Sequence, residues 1–194
     1  MRPTNLSRQA GASLLEVLVA ILILSFGMLA LSGMLAFSVQ MPKMAAYRAT
    51  ATALAAGHIE RMRANPQGFR NGSYAETMSY NDGSVLQPAQ NVSALCNYPA
   101  CSADTIAARD RHEAKYAIQK QLTPTGGMRV RCSGDPSPVC TDLDGDLWII
   151  WQEPTTFATL DAATSDECPA ATVTPTFTAF LSPKPRCLHV RFKL

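Results

Sequence analysis

The stretch that decides the fold reads Gly11-Ala-Ser-Leu-Leu-Glu16-Val-Leu-Val-Ala-Ile-Leu-Ile-Leu-Ser-Phe-Gly-Met-Leu-Ala-Leu-Ser-Gly-Met-Leu-Ala-Phe-Ser-Val39. Its last 23 residues, Val17 to Val39, carry no charge. A helix needs about 20 apolar residues to cross a bilayer, so this run is long enough to span one. A helix that is apolar all round is either a span or completely buried. Glu16 stands at its head, where a simple anchor would do better without an acid. A charge inside a membrane helix costs roughly 2.5–3.5 kcal/mol at the bilayer centre, which makes Glu16 a functional candidate. The plainer reading is an anchor whose acid lies near the headgroups.

Residues 1–11 are polar and basic, with Pro3 and Gly11 as breakers. They read as a targeting leader rather than part of the fold. A secretory signal peptide is cut after its apolar run. Here the small-residue junction Ala10-Gly11-Ala12 comes before it, so the apolar stretch is expected to stay in the mature protein. Cleavage after Gly11 would leave a new amine on Ala12, four residues ahead of Glu16. That amine could pair with Glu16 of the same chain or of a neighbour. Arg2 and Arg8 favour a cytoplasmic N-terminus by the positive-inside rule. They also supply the whole net charge of +2. From Ala12 onward acids and bases balance, and no basic cluster points to a nucleic-acid partner.

Helical composition continues beyond the span. Gly27 and Gly33 are soft points that could help close packing on another helix, and Pro42 is a candidate kink. In residues 43–64, Met44, Tyr47, Ala51, Leu54, Ala55, Ile59 and Met62 recur near i, i+3, i+4, i+7, the stripe of an amphipathic helix. Arg48, Glu60, Arg61 and Arg63 fall mostly elsewhere, and Asn65-Pro66 ends the run. The spacing predicts one helix of some fifty residues, about 75 Å long.

The remainder reads as one small α+β domain. Residues 65–102 are loop-rich, with turn signals at Asn71-Gly72, Asn81-Asp82-Gly83 and Pro88. A sequon, Asn91-Val-Ser93, carries little weight. Residues 103–122 read as a second helix, with Asp104 as its candidate cap and Ile106, Tyr116, Ile118 and Leu122 as anchors. Gly126-Gly127 belongs to a turn. Three strands follow at 128–132, 147–152 and 187–194. In the last, Leu188, Val190, Phe192 and Leu194 face one way and His189, Arg191 and Lys193 the other. Trp148 and Trp151 face opposite sides, one in the core and the other a weak hint of a partner interface. The Thr/Pro-rich segment 154–186 is a long excursion.

Six cysteines, Cys96, Cys101, Cys132, Cys140, Cys168 and Cys187, all follow the apolar stretch. No C-x-x-C pairs occur and His58, His112 and His189 are scattered, so zinc fits poorly. Disulfides in an oxidising compartment fit well. Fifteen pairings are open to six cysteines. The simplest joins nearest neighbours, because short loops close at low entropy cost. Asp142-Leu-Asp-Gly-Asp146, with Glu153 beyond it, suggests a calcium loop, but its glycine is at the fourth position rather than the sixth. A turn into the strand at 147 is the better reading. The chain shows no G-x-S-x-G, no H-E-x-x-H and no glycine-rich phosphate loop. Neither an enzyme nor a bound cofactor or metal is expected.

The run Gly11-Ala12-Ser-Leu-Leu-Glu16-Val-Leu-Val-Ala, behind its basic leader, resembles the class III signal of type IV pilins and type II secretion pseudopilins. The resemblance implies cleavage by a prepilin peptidase after Gly11, methylation of the Ala12 amine, and a role for Glu16 in guiding subunits into a filament. Ala12 departs from the usual phenylalanine. Gly33 stands where many major pilins have proline. The stretch Ala53-Leu-Ala-Ala-Gly-His-Ile-Glu-Arg-Met-Arg-Ala-Asn-Pro66 is similar to the helix end of PilV-type minor pilins, as is the order of helix, Pro/Gly turn and strands through Trp148 and Trp151. The resemblance implies an α+β, type IV pilin-like fold. It divides the chain into leader 1–11, helix 12–64 (12–41 for membrane or filament core, 43–64 amphipathic) and disulfide-containing head 65–194. It implies partners as well: other minor pilins, the major pilin, a tip adhesin, the prepilin peptidase and the inner membrane, with no nucleic acid. The protein would wait in the inner membrane with its C-terminal domain in the periplasm, then move to the pilus tip. An I-type pseudopilin of type II secretion is the nearest alternative. A membrane-anchored periplasmic enzyme and a DNA-uptake receptor are the more distant ones.

Overall fold

The computed structural model describes residues 13–77, 79–80, 85–89, 96, 101–133, 140, 142–152, 168 and 185–194. Outside these lie the leader, Gly11 and Ala12, the turn at Asn81–Gly83, the sequon at Asn91–Ser93, Glu153 and most of the Thr/Pro-rich excursion. The elements run α1 (Leu14–Ala64), α2 (Pro66–Arg70), α3 (Ala103–Gln121), β1 (Gly127–Cys132), β2 (Asp144–Gln152) and β3 (Pro185–Lys193). The chain divides into two compact units, residues 1–43 and 44–194.

In the first unit, α1 starts at Leu14 and continues through Pro42. Every described residue from Leu14 to Lys43 is exposed. The only helix long and apolar enough to cross a membrane among the described residues is α1.

The second unit is an α+β head. Ala51, Ala55, Ile59 and Met62 of α1 are buried in its main core, with Tyr47 and Leu54 packed alongside. These are the residues that the helical spacing selects. The same core holds Phe69, Tyr74, Ala107, Ile118 and Leu122. From the sheet it takes Met128, Val130, Leu147, Ile149, Trp151, Leu188 and Phe192.

The sheet is antiparallel in the order β1-β2-β3. Leu147 sits opposite Val130 and Val190, and Ile149 opposite Met128 and Leu188. Period-2 alternation puts these rows on the core side. The opposite face carries the rows Arg129–Trp148–His189 and Arg131–Asp146–Arg191. The outer edge of β1 is partly paired, since Glu76 and Val130 exchange two backbone hydrogen bonds of 3.1 Å. Gly127 opens β1 rather than belonging to the preceding turn. A Cβ there would come within 2.4 Å of the Tyr80 backbone, so only glycine lets that segment lie so close.

Several local expectations are corrected. Ser102, not Asp104, caps α3: its Oγ accepts the Thr105 N–H at 3.2 Å. Asp104 sits in the first turn and instead accepts from Asn71 (2.9 Å) and Ser73 (2.6 Å). A short helix, α2, breaks the loop-rich region, with Asn65 as its cap. Strand β2 begins at Asp144, three residues earlier than its aromatic run, so Gly145 and Asp146 are strand residues rather than turn residues. Just before β2, Leu143 has a φ of 56°, in the left-handed region. Its carbonyl accepts the Leu194 N–H at 2.9 Å. Trp148 and Trp151 are both buried, on opposite faces of the sheet. Trp148 lies in a second cluster with Tyr80, Ile150 and Cys187, and stacks on His189 at 4.5 Å between ring centroids.

Candidate functional site

The chemistry singled out by the sequence gathers at two places on α1, one in each unit. The first is its start. The Glu16 N–H donates to Ser13 Oγ (3.2 Å) and to the Ser13 carbonyl (3.0 Å). Ser13 therefore caps α1, and Ser13-Leu-Leu-Glu16 has the S-x-x-E spacing of a capping box. That spacing is legible in the sequence itself. It gives Glu16 a local reason as well as a functional one, because an acid in the first turn is favoured by the helix dipole. Gly11 and Ala12, the expected processing residues, lie outside the described residues.

Following Glu16, the described residues up to Lys43 form an exposed, mostly apolar surface. Leu14, Leu29 and Met34 are each more than 70% exposed. An apolar surface of this extent marks contact with lipid or protein. Beyond the span, the face of α1 turned away from the head core exposes Ala45, Ala46, Ala49, Ala53, Ala56 and Gly57. Small residues let a second helix approach closely.

The second place is the joint between the end of α1 and the rest of the head. It coincides with the Glu60-Arg-Met-Arg-Ala-Asn65 run. Met62 is fully buried in the core. Arg61 pairs with Asp110 at 3.4 Å and with Glu113. Burial opposes the Arg61 charge, but the hydrogen bond and charge of Glu113, then Asp110, outweigh it and raise its pKa. Glu113 also takes Arg109 at 3.1 Å. Burial pushes its carboxyl up, and the two arginines pull it below the usual carboxylate value. Asn65 donates to the Ala103 carbonyl (2.7 Å) and Tyr74 Oη (3.3 Å), while its Oδ1 accepts from Gly68 N–H. Tyr74 in turn donates to Asp110 at 2.5 Å. Burial, then that carboxylate, pushes the phenol pKa upward. Arg61 thus ties α1 to α3, and Asn65 ties the end of α1 to α2 and α3, whereas Glu60 pairs with Arg63 at 2.5 Å on α1 itself and Arg63 reaches the Lys193 carbonyl of β3 at 3.5 Å.

The cysteines pair Cys96–Cys101, Cys132–Cys140 and Cys168–Cys187. Two of the acids of 142–146 are paired within the sheet: Asp144 with Lys193 at 3.6 Å and Asp146 with His189 at 2.9 Å. The histidines stay dispersed over α1, α3 and β3. Among the described residues no three His, Cys, Asp or Glu side chains come together as a metal site would require.

Residues 6–32 match the family model described as the prokaryotic N-terminal methylation motif. No curated protein and no solved structure matches the chain. The motif, the long apolar helix and the small antiparallel sheet make the chain type IV pilin-like, with an α+β fold of that kind. A class III signal implies processing by a prepilin peptidase and a pilin-type assembly context. The apolar helix suits a membrane-anchored subunit that later enters a filament.

Proposed function

We propose that the chain is a minor pilin of the type IV pilus, PilV-type, which helps prime assembly and contributes to the tip complex. Its work is assembly rather than catalysis. The observation that carries the reading is the methylation motif at residues 6–32 leading into an uncovered apolar helix with Glu16 in its first turn. Peptidase cleavage after Gly11 frees the Ala12 amine for methylation. In the membrane, the exported head faces the periplasm. During assembly Glu16 meets the amine of a neighbouring chain, where opposite charges in a low-dielectric environment attract strongly. The apolar surface then exchanges lipid for other subunits, and the exposed small-residue face supports close helix contact. The head selects its neighbours: sibling minor pilins, the major pilin and a tip adhesin.

Glu16→Val tests the assembly role. Cleavage is expected to proceed and incorporation into filaments to fall, read by mass spectrometry of the N-terminus and by immunoblot of sheared filaments. Normal incorporation of the variant removes steering from Glu16. An intact Met1 in assembled wild-type protein overturns the processing step. Crosslinking in intact envelopes then decides the class of assembly. Capture of pilus minor pilins supports the reading, and capture of secretion pseudopilins transfers the chain to a type II secretion system.

A further inference from the structure

His58 has no task in the filament reading, and its surroundings are unusual. It lies on the core face of α1 between Ala55 and Met62, only 2% exposed. Both ring nitrogens are buried without a hydrogen-bond partner. The ring meets Tyr74 edge-on at 5.9 Å between centroids. A buried, unsatisfied polar group is costly, and an apolar side chain of the same shape would serve the packing better.

The charges acting on His58 are both positive, Arg61 on its own helix and Arg111 on α3. The carboxylates of this seam are already committed. Asp110 takes Tyr74 and Arg61, Glu113 takes Arg61 and Arg109, and Glu76 takes Arg111 and Lys115. A proton on His58 would therefore add a buried cation beside two others with no acceptor to receive it.

We propose that His58 makes the joint between α1 and the rest of the head acid-labile, so that protonation of its ring loosens the head from the helix. Burial, then Arg61 and Arg111, holds the imidazole pKa down from 6.5 to about 4. With the folded value below the unfolded one, stability is intact above about pH 6.5 and falls as the pH drops towards about 4.

The test uses the full chain in detergent micelles. Urea unfolding is followed by near-ultraviolet circular dichroism at about pH 7.5 and about pH 5. Between the two, the wild-type unfolding constant should rise about 30-fold more than that of His58→Gln, the difference expected for a shift from 6.5 to about 4. Equal rises in the two proteins overturn the proposal. If the variant does not fold, the wild-type ring proton is titrated by NMR. A His58 midpoint below about 5.5 supports the proposal, and one at or above it overturns it. Neither readout needs an assembly partner, so the result is separate from the fate of the filament reading.

Discussion

The two units of the chain share one helix but face opposite physical problems. From Leu14 to Lys43, α1 exposes all its described residues, and the exposed side chains are mostly aliphatic. From Met44 onward the same helix is amphipathic and buries Ala51, Ala55, Ile59 and Met62 in the head core. The described residues of the first region lie exposed, and an apolar surface of this extent marks contact with lipid or other chains. The second region is complete within itself. Folding stability should therefore reside in the head, and assembly in the exposed half of α1.

Matched substitutions in the two regions can break this division. Phe69 is fully buried and meets Phe192 edge-on at 5.6 Å. Phe69→Ala should lower head stability by about 3–5 kcal/mol, the usual cost of emptying such a site. Leu22→Ala removes an exposed side chain of the first unit and should leave the urea midpoint of the head unchanged. A comparable loss from Leu22→Ala in micelles would mean that the units fold as one and the division is wrong.

The same contrast explains what could be read from the sequence. The uncharged run and the 3.6-residue stripe are one-dimensional patterns, so α1 and its buried face were legible. The alternation of Leu188, Val190 and Phe192 placed β3 for the same reason. The joint was not legible. Arg61 finds its acids 49 and 52 residues away, and such pairings come from tertiary packing. The start of β2 was missed because Asp144 and Gly145 have poor strand propensity. Gly145 is accepted there since a Cβ would come within 2.6 Å of the Phe192 ring. Alternation puts Trp148 and Trp151 on opposite faces but says nothing of the second cluster that covers Trp148. At the helix start the S-x-x-E spacing of Ser13 and Glu16 marks the cap that Ser13 makes with the Glu16 N–H.

Two serine caps sharpen the comparison at lower amplitude. Ser13 caps α1 in the first unit and Ser102 caps α3 in the second. Replacing such a cap with alanine costs about 1 kcal/mol. Ser102→Ala should show that cost in the urea midpoint. Ser13→Ala should leave the midpoint in place and speed hydrogen exchange of the Glu16 and Val17 amides, which lose their fixed acceptor geometry. A shift in midpoint from Ser13→Ala would tie the first turn of α1 to the head.

The smallest effect separates two acids on surfaces of the two units. Glu113 is bound by Arg61 and Arg109, and their pull outweighs burial to lower its pKa. Its contribution is therefore present above the ordinary carboxylate value and lost as the pH falls through the lowered one. The Arg61 and Arg109 side chains that bind it are well exposed, so screening limits Glu113→Gln to a loss of about 0.5 kcal/mol near neutral pH. That loss should disappear as the pH falls through the lowered value, where the wild-type acid is itself protonated. Glu16→Gln should leave head stability unchanged across the whole range and reduce filament incorporation instead. The two pH signatures in the head are thus distinct: His58 acts between about 6.5 and 4, and Glu113 below the usual carboxylate range. Loss of head stability in Glu16→Gln would place that acid in the folding of the second unit and dissolve the separation between shaft and head.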